Sequence, residues 1–79
     1  STMNNLKKIN DILKEVTQKK KKFNPKKNLF EQGLDSLDLT TLLITIEEKF
    51  DLSFKSNAYD KLASINDIMN YIKKNKKKR

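Results

Sequence analysis

The chain has 79 residues, with 18 lysines and arginines against 10 acids, a formal net charge of +8, no cysteine and no histidine. A chain of this size makes one small domain with little core to spare, and without cysteine neither disulfides nor thiolate metal sites can brace it. The missing histidine removes the commonest general base and metal ligand, which excludes a Ser/His enzyme and leaves no catalytic residue and no metal site to name.

Met3, Leu6, Ile9, Ile12, Leu13 and Val16 recur at helical spacing and fall on one stripe, with lysines, asparagines and acids on the other face. This pattern predicts a first amphipathic helix from Met3 to about Gln18. It gives out in Lys19-Lys20-Lys21-Lys22, where positive charge suits a helix C-terminus. A long connection follows, from about Lys21 to Leu34. Asn24-Pro25 disfavours helix at Asn24, and Gly33 is the single glycine of the chain. Phe23, Leu29, Phe30 and Leu34 are expected to pack inward and hold this connection on the helices.

Asp35 is placed to cap the next helix, and Asp38 at the third helical position completes a capping box. Ser36 is then the first helical residue, and the helix is expected to run to about Lys49. At about 100° per residue, Leu39, Leu42, Leu43, Ile46 and Phe50 form an ordinary core stripe. Leu37 and Ile44 fall on the opposite side, beside Thr41 and Glu48 and bordered by Asp38. Two apolar residues seven apart among acids suggest a small docking stripe; the other reading is that the loop or a neighbouring helix covers them.

Asn57 to Leu62 has room for one or two helical turns, with Ala58, Tyr59 and Leu62 as packing residues. The last helix is clearly marked: Ser64 caps it, Asp67 completes a Ser-x-x-Asp box, and Ile65, Ile68, Met69 and Ile72 form one stripe with Tyr71 at its edge. Residues 3–74 therefore form the domain, and residues 75–79 a basic tail expected to be disordered. With three longer helices, one short one, a long loop between the first two and no strand pattern, the fold class is an all-α, small four-helix bundle. The longest apolar run, Leu42-Leu43-Ile44, is far too short to span a membrane, and no signal-peptide pattern opens the sequence. A cytoplasmic monomer is expected.

Charge is not spread evenly. Between Glu31 and Asp51 there are six acids against one base, Lys49, whereas the remaining residues hold 17 bases and four acids. A helix N-terminus offers unpaired N–H groups and a positive dipole end, so a phosphate joined to Ser36 would sit in a favourable field. Asp35 and Asp38 oppose a free anion there, which favours a covalent phosphodiester over a general phosphate site.

Gly33-Leu34-Asp35-Ser36-Leu37-Asp38 resembles the attachment motif of acyl carrier proteins. The similarity continues through Ile46-Glu47-Glu48-Lys49-Phe50-Asp51 and Ile65-Asn66-Asp67-Ile68-Met69-Asn70-Tyr71-Ile72, so that it spans about Leu6 to Ile72. The resemblance implies a carrier, not an enzyme, with 4′-phosphopantetheine derived from coenzyme A joined covalently to Ser36 beside Asp35. It also implies a phosphopantetheinyl transferase and acyl synthases or transferases as partners, and acyl cargo held as a thioester. Leu37, Asp38, Ile44, Glu47 and Glu48 match the positions that partners of the family recognise.

Fatty acid biosynthesis is the pathway this points to, with two departures. Family members of that pathway are usually acidic throughout, and position 41, often acidic in them, is threonine here, with Lys55 and Lys61 near the short helix. A dedicated carrier for a specialised acyl, polyketide or aminoacyl pathway is the alternative; Asp35 before the serine leans toward acyl cargo. A small basic protein that binds nucleic acid or an anionic surface is a further alternative, opposed by dispersed bases and sparse aromatics. No specific nucleic-acid partner is expected.

Overall fold

The computed structural model describes residues 2–75, with side chains from Asn4 onward. Three α-helices, α1 (Thr2–Thr17), α2 (Ser36–Phe50) and α3 (Ile65–Lys74), are joined by segments that carry a 3₁₀ turn (Phe30–Gln32) and a 3₁₀ helix (Ser56–Lys61). There is no strand among the described residues. This is the expected all-α bundle of three longer helices and one short one.

Each helix buries the stripe its sequence marks. Ile9, Ile12 and Leu13 of α1, Leu42, Leu43 and Ile46 of α2, and Ile65, Ile68 and Ile72 of α3 meet in one apolar cluster. Leu6, Val16, Leu39, Phe50, Met69 and Tyr71 pack around its margin. Helix α1 lies against both α2 and α3, and each fully buried Leu or Ile contributes about 1.5–3 kcal/mol. The Met3 side chain and the tail from residue 76 lie outside the described residues.

Both predicted capping boxes form. The Asp35 carboxylate accepts from Asp38 N at 2.8 Å, and Asp38 Oδ2 accepts from Asp35 N at 3.3 Å. At the start of α3, Ser64 Oγ accepts from Asp67 N, and Asp67 Oδ2 accepts from both Ser64 N and Ala63 N, all at 3.1 Å. Helix α2 stops one residue beyond the expected Lys49, at Phe50, because Asp51 takes a left-handed conformation with φ 53°. The chain beyond it is tied back: Leu52 N donates to Glu47 O at 3.1 Å, and Phe54 N donates to the Glu47 carboxylate at 2.8 Å. The Tyr71 hydroxyl then accepts from Lys55 N at 2.9 Å and donates to Ser53 O at 3.3 Å, while its ring tilts against Phe54 with centroids 4.9 Å apart.

The long connection is held more firmly than its length suggests. Phe23, Leu29 and Leu34 are buried, as expected. Phe30 is not: it is 47% exposed. With about three residues per 3₁₀ turn, a backbone that points Leu29 inward turns the next side chain well away from the core. Backbone bonds from Leu29 N to Ala63 O (2.8 Å) and from Asn66 N to Pro25 O (3.0 Å) fasten the connection to the approach to α3. A second correction concerns Tyr59, which is 43% exposed. Leu62 leaves the 3₁₀ helix with ψ 63° and turns into the core, so it anchors the segment with half-buried Ala58 and leaves Tyr59 outside.

Candidate functional site

The approach to α2 is built around Gly33. Leu34 N donates to Leu29 O at 3.2 Å and Gly33 N to Phe30 O at 3.2 Å. This is the paired-bond termination in which the residue after the turn must be left-handed. Gly33 has φ 101°, a conformation that side chains resist and glycine adopts freely. The chain therefore reverses at Gly33, buries Leu34 at 4% exposure, and enters α2 through the extended Asp35. Ser36 is held between a core anchor on one side and a helix on the other.

Ser36 is exposed, and its hydroxyl makes no hydrogen bond to the described residues. Asp35 already fills the cap, so Ser36 is spared that role. Of the first four N–H groups of α2, Asp38 N is taken by the Asp35 carboxylate and Leu39 N by Asp35 O at 3.0 Å. Ser36 N and Leu37 N have no partner among the described residues. A phosphate joined to Ser36 Oγ would thus meet two free amides at the positive end of a 15-residue helix. The residues present fit a phosphodiester-linked group.

The remaining predicted site residues line the same helix. Leu37 is 73% exposed and Ile44 48%, so neither loop nor neighbouring helix covers them. Glu48 is exposed and Asp38 half-buried. At 1.5 Å per residue, Leu37 to Glu48 is a stripe of about 16 Å along α2. Glu47 is half-buried, and through its bond to Phe54 N it also braces the segment after α2. Exposed Asp35 and half-buried Asp38 likewise combine a place beside Ser36 with the capping work described above.

Two features of the site escape the sequence. The first is Gln32. Its Oε1 accepts from Asn24 N at 2.7 Å, and its Nε2 donates to Asn24 O at 2.9 Å and Lys27 O at 3.0 Å. This side chain fixes the width of the loop just ahead of Gly33. No periodicity marks it, since a contact eight residues back along an irregular chain leaves no repeat. The second is the position of the loop lysines. Lys21 Nζ donates to Gln32 O at 2.8 Å and lies 4.8 Å from the Phe23 ring centroid. The Lys19 ammonium lies 2.8 Å from where a Cβ on Gly33 would stand. Two lysines distant in sequence from Gly33 are therefore folded onto the Gln32–Gly33 turn that precedes the serine.

The sequence model of the family described as "Phosphopantetheine attachment site" matches residues 7–72. Among characterised proteins, the acyl carrier protein of Wolinella succinogenes is 34% identical over 74 residues, covering 86% of this chain and 97% of that protein. The acyl carrier protein of Campylobacter concisus is 45% identical over 42 residues, 53% of this chain and 54% of its own length. That of Chlamydia felis is 49% identical over 39 residues, 49% of this chain and 50% of its own.

Proposed function

This chain belongs to the phosphopantetheine attachment-site family, and we propose that Ser36 is the residue on which it carries its prosthetic group. It is an acyl carrier and not an enzyme, and covalent 4′-phosphopantetheine is its cofactor. When bound, that group supplies a flexible arm whose terminal thiol holds acyl groups as thioesters, a role for which the chain has no cysteine of its own.

The observation that carries the assignment is the free hydroxyl of Ser36 at the first position of α2, with the cap already filled by Asp35 and two amides open beside it. Ser64, which also stands at a helix start, is unsuited: it is 7% exposed and its hydroxyl is spent as the cap of α3. With no histidine in the chain, removal of the Ser36 proton during loading falls to the transferase. Asp35 keeps Ser36 at the helix start, and the left-handed Gly33 with buried Leu34 sets the direction from which it is presented.

Fatty acid biosynthesis is the pathway we assign, in the cytoplasm and with the carrier acting as a monomer. The relatives' name, acyl carrier protein, supports the carriage of acyl groups, and the resemblance of Gly33 to Asp38 and of the end of α2 to carriers of that pathway supports the rest. Leu37 and Ile44, with Asp38, Glu47 and Glu48 around them, form the stripe that the transferase and the acyl synthases read. Apolar contacts there give affinity, and the acids favour partners with basic faces. The departures from an all-acidic carrier keep a dedicated carrier for specialised acyl groups as the second reading; mass spectrometry of the protein from its native host, which reports the cargo directly, separates the two. Incubation with coenzyme A and a broad-specificity transferase should add one phosphopantetheine to the wild-type chain and none to Ser36→Ala. A wild-type mass left unchanged by several transferases would overturn the assignment.

A further inference from the structure

The connection between α1 and α2 carries six exposed lysines, Lys19 to Lys22, Lys26 and Lys27, and one half-exposed aromatic, Phe30 at 47%. The loop is pinned, not free: Gln32 grips Asn24 and Lys27, and the Pro25 and Leu29 backbones are fastened beside α3. The lysines thus hold a fixed place at the end of the bundle where α2 begins, two of them folded onto the Gln32–Gly33 turn. Fewer acids stand at this end: Glu31, Asp35 and Asp38 on the connection and α2, and Asp67 at the start of α3.

We infer that this lysine loop is a docking surface for an anionic phospholipid bilayer, with Phe30 entering the headgroup region. Charge complementarity to a field of phosphates is the first reason. The second is the kind of base. Every one is lysine, a flexible point charge without the planar fork that pairs in register with a defined acidic site. The side chains of Lys20, Lys22, Lys26 and Lys27 make no hydrogen bond or ion pair among the described residues, so their charge stays available. The third is Phe30, a large apolar side chain 47% exposed on the same pinned loop, since an apolar side chain beside lysines is the combination that seats a peripheral protein at an interface. A single aromatic offers little to nucleic-acid bases, which need successive stacking platforms. Docked in this way, the chain would present the start of α2 near the membrane surface, where acyl chains are used. The inference goes beyond the carrier assignment and does not depend on loading.

The test is co-sedimentation of the full chain, without prosthetic group, with large vesicles of phosphatidylcholine and phosphatidylglycerol at 7:3, and with pure phosphatidylcholine, in about 0.1 M salt. The expected result is binding to the anionic vesicles only, abolished in about 0.5 M salt. Lys20→Gln/Lys22→Gln/Lys26→Gln/Lys27→Gln should lower the partition coefficient at least about tenfold, with an unchanged circular dichroism melt because those side chains hold nothing in the fold. Phe30→Ser should lower it about threefold or more, and Ser36→Ala should leave it unchanged. Absence of binding would overturn the inference, as would equal binding to neutral vesicles. So would binding that survives the four loop substitutions but is lost on Lys76→Gln/Lys77→Gln/Lys78→Gln, or tighter binding to polyuridylate than to vesicles at the same salt.

Discussion

Leu37→Ala separates a docking residue from a core residue on the same helix. Leu37 is 73% exposed, so folding buries only about a quarter of it. Full burial of a leucine is worth about 1.5–3 kcal/mol, which puts the stability at stake near 0.4–0.8 kcal/mol. Alanine returns a few tenths through its higher helix propensity. The expected net cost is at most about 0.5 kcal/mol, or a fall in Tm of no more than about 4 °C for a domain of this size. Leu42, at 0% exposure on the inner face of α2, is the control: Leu42→Ala should cost about 2–5 kcal/mol and lower Tm by at least about 8 °C. The order reverses in function. If Leu37 seats in a pocket on the transferase, its truncation should remove about 1–2 kcal/mol of docking energy, a loss of about 5- to 30-fold in kcat/KM for phosphopantetheine transfer. Ile44→Ala should behave alike with a somewhat larger stability cost, since it is 48% exposed. Transfer kinetics by mass spectrometry and melts by circular dichroism measure both quantities on the same samples. The reasoning fails if Leu37→Ala melts as low as Leu42→Ala, or if neither Leu37→Ala nor Ile44→Ala alters kcat/KM.

Gly33→Ala should destabilise the chain by about 1–2 kcal/mol, because the φ of 101° strains any side chain; the nearby Lys19 ammonium is the end of a flexible chain and can move, so the cost is conformational, and a melt unchanged within about 2 °C would contradict it. Gln32→Ala removes three hydrogen bonds across the loop; hydrogen exchange at Asn24 N should accelerate markedly while the core amides of α1 keep their protection, with a global loss of about 1 kcal/mol. Ser64→Ala removes the cap of α3 at a position that is 7% exposed, so a cost of about 1–2 kcal/mol is expected in a urea melt, whereas loading of Ser36 in the folded fraction should be unaffected.

Sequence by itself settles most of the secondary structure, because the signals that specify it are local. Two capping boxes, one glycine and three apolar stripes each act within a few residues, and the observed helix ends fall within about two residues of where those signals put them. The same locality makes the outer face of α2 legible: Leu37 and Ile44 lie off the core stripe by angle alone, and both are exposed. Hydrophobicity alone predicts Phe30 and Tyr59 inward, and both lie outside. Each sits in or beside a 3₁₀ segment, where burial follows from how the segment docks and not from any repeat.

The electrostatic surroundings of Ser36 are the matter that tertiary structure decides. Along the chain Ser36 lies in an acidic stretch, from Glu31 to Asp51. In the fold, the loop fastened by Gln32, Leu29 and Pro25 returns Lys19 and Lys21 to the Gln32–Gly33 turn, three residues ahead of Ser36. Charge acts through space over about 10 Å, so neighbours along the sequence cannot define the field at an exposed hydroxyl. Only the path of the loop can.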